Sequence, residues 1–139
     1  MSCYATLPDD FYAHGLRAAA LPASITTAEI IAQVTSSSGV ADSYMGSRFR
    51  LPISAWGVDL TAAVCKHAAF ELVASQVGFN PEAGHNMVLL DRKTDAIRWF
   101  EQIAAGKVTP TGIVDSTPSA GPGGPSSAAR AFSKRRRGW

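Results

Sequence analysis

Cys65 and His67 stand two residues apart and are the side-chain types that a zinc site or thiolate chemistry would use. On an α-helix that spacing turns the two about 200° away from each other, so they cannot share one ion. They read instead as a small buried thiol beside a partly exposed histidine. His14 and His85 have no carboxylate or thiol at a catalytic spacing and read as structural or surface residues. A Gly-x-Ser-x-Gly elbow, a His-Glu-x-x-His pair and a phosphate loop are all missing. The Gly121-Pro122-Gly123-Gly124-Pro125 run lacks the Lys-Ser/Thr and the helix that would follow it in a phosphate loop. The expectation is a protein that is not an enzyme, with no catalytic residue, metal site or cofactor. An enzymatic alternative would have only Cys65, His67 and His85 to work with.

The charged residues point elsewhere. Residues 1–106 carry seven Lys/Arg against ten Asp/Glu, whereas residues 107–139 carry six against one, so a body of −3 precedes a tail of +5. The tail is rich in Pro, Gly and Ser and contains Arg130 and the closing run Lys134-Arg135-Arg136-Arg137-Gly138-Trp139. With so little apolar surface it cannot offset its own ordering entropy, and it is expected to stay mobile or to order on a partner. Three roles suit such a cluster: binding phosphates, docking into an acidic protein groove, or solubilising the chain end. Trp139 beside three arginines is the combination enriched at interface hot spots. Arg48-Phe49-Arg50-Leu51-Pro52 is a second candidate contact, because two cations bracket an aromatic at a helix exit. The alternative there is charge placed for the helix dipole, with Phe49 in the core.

These residues need a scaffold, and the pattern predicts four helices. Leu7-Pro8-Asp9-Asp10 opens a short one that runs to about Ala20. Thr26 or Thr27 caps a second, with Glu29 in its first turn and Ile30, Val34, Ala41 and Met45 on one face, ending near Ser47. Ser36-Ser37-Ser38-Gly39 weakens its middle. Leu51 precedes Pro52, so residues 49–56 form an extended connector. A third helix spans about Val58 to Val77, with Leu60, Val64, Ala68 and Leu72 in a stripe and Gly78 as its stop. Asn80-Pro81 caps and starts a fourth, whose face carries Leu90, Ile97, Phe100 and Ile103 or Ala104 before Gly106.

Along these helices, Asp91-Arg92-Lys93-Thr94-Asp95 reads as a solvated face with weak ion pairs. Trp99 either rims the core or packs on another subunit. The Leu72–Asn80 stretch has the outline of a helix-turn-helix. However, Pro81-Glu82-Ala83-Gly84 offers an acid and small groups where base edges would need Arg, Lys, Asn or Gln.

The fold class expected is therefore all-α: a small bundle of about four helices over residues 1–106 with an extended basic tail over 107–139. No window reaches the roughly 18–20 apolar residues of a membrane span, and the N-terminus has no basic start, which argues against secretion and membrane insertion. Two cysteines are too few for a disulfide scaffold and fit synthesis in a reducing cytoplasm.

The order of landmarks over residues 4–114 resembles a family of small Mu-like phage and prophage proteins assigned to head completion and the head-to-tail connector. The resemblance is carried by Tyr4-Ala5-Thr6, by Ile30 through Asp42-Ser43-Tyr44-Met45-Gly46-Ser47-Arg48-Phe49-Arg50-Leu51-Pro52-Ile53, and by Asp59-Leu60 to Leu72. Asp95-Ala96-Ile97-Arg98-Trp99-Phe100 and Ile103-Ala104-Ala105-Gly106-Lys107 complete it. It implies a helical virion subunit made in the bacterial cytoplasm and assembled as a ring, a dodecamer matching a twelve-fold portal. It also implies portal and tail or neck (stopper) proteins as partners and no enzymatic activity. Arg48, Arg50, Arg130, Lys134, Arg135, Arg136, Arg137 and Trp139 are the expected partner-binding residues. The alternative is a nucleic-acid-binding protein that uses the same tail, and non-specific contact with packaged DNA is compatible with both. The 33 tail residues span at most roughly 110 Å when extended, enough to cross a neighbouring subunit.

Overall fold

Thr26 leaves helical geometry (φ −93°, ψ 160°) and closes a capping box with Glu29. Its Oγ1 accepts the Glu29 N–H at 3.2 Å while Glu29 Oε1 accepts the Thr26 N–H at 2.8 Å, which satisfies two donors that a helix start leaves over. In the computed structural model, which describes residues 3–78 and 80–113, helix α1 begins there and runs Thr27–Met45. Helices α2 (Val58–Gln76) and α3 (Gly84–Ala104) follow, and α1 is preceded by a π-helical turn at Phe11–Gly15 and a 3₁₀ turn at Ala18–Ala20. The fold is all-α, with no strand among the described residues.

α2 is the central element, packed against α1, α3 and the N-terminal turn. Its buried residues therefore go most of the way round: Leu60, Val64, Ala68 and Leu72 are joined by Thr61, Ala63, Cys65, His67, Ala69 and Val73. Small side chains at Ala63, Cys65, Ala68 and Ala69 let three elements approach one helix. Ile30, Val34, Ala41 and Met45 of α1 are buried as their spacing predicts, and so is Phe49 beyond its end. Gly78 (φ 99°) and Gly106 (φ 80°) take the left-handed conformation just past α2 and α3, where a helix stop needs it.

Three expectations are corrected. The first helix ends at Gly15 rather than near Ala20, because Leu16 is extended (φ −141°) and a Cβ at Gly15 would lie 2.9 Å from the Cys65 carbonyl oxygen. α3 starts at Gly84, since Asn80 Oδ1 accepts the Glu82 N–H at 3.0 Å and holds residues 80–83 as a turn. The core stripe of α3 is Leu89, Ala96, Phe100 and Ile103, with Leu90 and Ile97 half-buried beside it. α1 runs unbroken through its serine stretch, as expected, and Ser37 and Ser38 there are wholly buried and bonded across the bundle.

Candidate functional site

Tyr4 lies across the α1–α2 seam and meets a partner at every polar atom. Its N–H donates to Ser38 Oγ at 3.1 Å, its carbonyl accepts Thr61 Oγ1 at 2.8 Å, and its hydroxyl donates to Asp42 Oδ1. Its ring packs edge-on against Trp56 with centroids 4.9 Å apart. A residue from the chain's beginning thus joins three elements, and nothing in local sequence marks Ser38, Asp42 and Thr61 as its receptors.

Two of the residues that could do chemistry, Cys65 and His67, are buried on different sides of α2. Cys65 is fully buried, and its thiol is pushed up to about 12, chiefly by burial, with Asp10 and Cys3 adding to the effect. His67 is 7% exposed rather than partly exposed as expected, and Ser37 Oγ sits 2.8 Å from its Nδ1. Burial lowers the His67 pKa, helped by Lys93 and opposed by Glu71. A serine and a histidine at this distance are a nucleophile-and-base pair by type. Both are buried, and neither lines the groove or the cleft described below. His85 is exposed, and His14 is half-buried in the N-terminal turn. Among the described residues no three His, Cys, Asp or Glu side chains gather closely enough to hold a metal ion.

The Asp91–Asp95 segment does more than face solvent. Arg92 reaches from α3 to the carbonyl oxygens of His14 and Gly15, the latter at 2.8 Å, and so completes the C-terminal end of the π-helical turn. Lys93 Nζ pairs with Glu71 Oε2 at 2.8 Å and lies 4.8 Å from the centre of the Phe70 ring. Only the Asp95–Arg98 pair at 3.2 Å matches the weak, exposed type expected.

Arg48 is turned inward. Nη1 donates to the carbonyl oxygens of Ile103 (2.9 Å) and Val108 (2.8 Å), Nη2 donates to Thr109 Oγ1 (3.1 Å), and the guanidinium lies 4.9 Å from the Phe49 ring centre. Arg50 is exposed. The remaining expected contacts, Arg130, Lys134, Arg135, Arg136, Arg137 and Trp139, lie outside the described residues.

The described surface carries a groove and a cleft. A groove of about 390 Å³ between the 3₁₀ turn, the end of α2 and the start of α3 is lined mainly by apolar side chains, among them Leu16, Pro22, Val73 and Leu89. Val77 and Val88 stand exposed at its rim, at 54% and 55%. A cleft of about 310 Å³ between α2 and α3 holds Trp99 over Ala62, Ala63 and Ala96, with Asp59, Lys66 and Asp95 around it. Trp99 is half-buried and packs on the core, its ring centre 6.0 Å from that of Phe100.

The sequence profile of the family described as Bacteriophage Mu, Gp36 matches residues 9–128. The chain belongs to that family. The matched span covers all three long helices of this Mu Gp36-family chain and ends at Ala128, just before the closing basic cluster. No curated protein and no solved structure matches the chain. No helix among the described residues is long and apolar enough to cross a membrane.

Proposed function

We propose that this Mu Gp36-family chain is a structural virion protein, a ring-forming adaptor that joins the portal to the tail or neck at the head-to-tail junction. The family match over residues 9–128 carries the reading. The bundle supports it: Cys65 and His67 are buried, and its described surface carries an apolar groove and a cleft floored by alanines. Such a body is suited to packing against copies and neighbours rather than to turning over a substrate. The basic run 130–139 docks on the portal, with Trp139 as its apolar anchor. Engagement through a tethered segment adds affinity once the body is in place.

The test is to image the purified chain mixed with portal protein, beside a form lacking residues 130–139. A ring seated on the portal by the full chain, and lost by the shortened one, is the expected result. Equal attachment of both forms refutes the docking role of the tail.

The concentration of six cations against one acid in residues 107–139 favours a second reading, in which the tail neutralises phosphates. That reading requires affinity for any duplex that falls steeply with salt. A salt titration with DNA separates the two.

A further inference from the structure

The six residues after α3 and its glycine stop are tied to the body at two points. Arg48, just beyond α1, grips Ile103 and Val108 through their carbonyl oxygens and Thr109 through its hydroxyl. Asp59, in the first turn of α2, accepts the Thr111 N–H at 2.8 Å and the Thr111 hydroxyl at 3.0 Å. Pro110 is buried between the two anchors. Backbone approach at the second anchor is close enough to require two glycines. A Cβ at Gly57 would lie 2.8 Å from the Thr111 carbonyl oxygen, and one at Gly112 (φ 73°) would lie 2.9 Å from the Gly57 nitrogen.

We propose that Val108–Gly112 is a two-point latch, in which Arg48 and Asp59 set where the C-terminal segment leaves the body. On composition alone, residues 107–139 are one mobile tail; the latch instead fixes residues 108–112 on the body, so the segment that follows is rooted at the α1-exit, α2-entry end of the bundle. Arg48 thereby acts as a positioning residue for partner docking rather than through its own contact. This step rests on the reading that the basic segment engages the portal. Its physical basis is that a tether raises local concentration only when its root and reach match the distance to be spanned. Both anchors are side-chain hydrogen bonds with an ionised partner at each point, so each is stronger than a neutral bond and each is removable by one substitution.

Lys107 is exposed and immediately precedes the latch, so tryptic cleavage after Lys107 in the full chain reads its opening directly. Arg48→Gln is expected to speed that cleavage about tenfold, in line with the loss of charge-assisted hydrogen bonds. Arg48→Lys should speed it too, since an ammonium cannot serve three acceptors in the geometry of a planar fork. Thr111→Val removes the hydroxyl bond of the second anchor, leaving the backbone N–H bond to Asp59, without touching α1. Amide exchange of α2 and α3 should stay as slow as in the unaltered chain while residues 108–112 lose protection. Unchanged cleavage in both Arg48→Gln and Thr111→Val overturns the latch, and so does protection lost throughout the bundle.

Attachment to portal protein is the second readout. The latch variants keep every residue of the basic segment, yet they are expected to attach more weakly than the unaltered chain. Equal attachment despite an opened latch refutes the positioning role. An unaltered chain that never attaches refutes the portal reading and leaves the cleavage result standing.

Discussion

Ser37 Oγ of α1 lies 2.8 Å from Nδ1 of His67 on α2, and both residues are buried. A polar residue in the middle of each helix thus finds its partner on the other, at the level where the sequence of α1 looks weakest. A buried donor left alone costs about 1–3 kcal/mol, so this pairing is what makes both residues tolerable in the interior.

The His67 contact makes stability depend on pH in a stated direction. Burial holds the His67 pKa below its ordinary 6.5, so below that pH the unfolded chain takes up a proton that the folded chain resists. The contribution is intact at higher pH and is lost as pH falls through about 6.5. Urea unfolding at pH 8 and pH 5 should show lower stability at pH 5, and His67→Gln should flatten that difference. A slope that survives in His67→Gln assigns the effect to another group.

Arg92 should prove a stability residue despite its place in a charged run. Arg92→Met leaves the carbonyls of His14 and Gly15 without their donor and is expected to cost about 1–3 kcal/mol. Amide exchange should quicken first in residues 11–16. If denaturant midpoints of Arg92→Met and the unaltered chain coincide, the capping role is wrong.

Tyr4 should anchor the N-terminal segment to both helices. Ser38→Ala removes the acceptor of its buried N–H and should cost about 1–3 kcal/mol, whereas the exposed neighbour Ser36→Ala should be near neutral. Thermal unfolding of the two variants measures the contrast.

The two thiols should differ in reactivity. Cys65, buried and held near pKa 12, should resist alkylation at neutral pH until the chain unfolds, while the half-buried Cys3 reacts in the folded protein. Mass spectrometry after iodoacetamide treatment should find one label on the native chain and two in denaturant. Two labels on the native chain contradict the packing of α2.

A close approach should be sensitive to a single methyl. Gly15→Ala puts a Cβ 2.9 Å from the Cys65 carbonyl oxygen, so the N-terminal turn must shift off α2. A loss of about 1–3 kcal/mol is expected from such overpacking, read in the same unfolding experiment. Gly39→Ala is the control: its Cβ meets nothing within 4 Å, and it removes a glycine from the interior of a helix, so it should stabilise slightly.

The sequence alone determined the all-α class, a threonine cap at residue 26 or 27, the glycine stops, the non-helical connector around Pro52 and the core faces of α1 and part of α2. Each follows from spacing and backbone preference within a few residues, which is information a linear chain carries. It could not choose between the adjacent α3 stripes Leu89/Ala96/Ile103 and Leu90/Ile97/Ala104, because both repeat every seven residues and only packing against α2 decides which one is covered. Nor could it place Arg48, Arg92, Ser37 and Ser38: their partners lie 30 to 78 residues away in the chain, and a polar side chain's worth depends on which donor or acceptor the fold sets opposite it. Tertiary structure made these residues fasteners, because a buried hydrogen bond exists only where two distant segments meet.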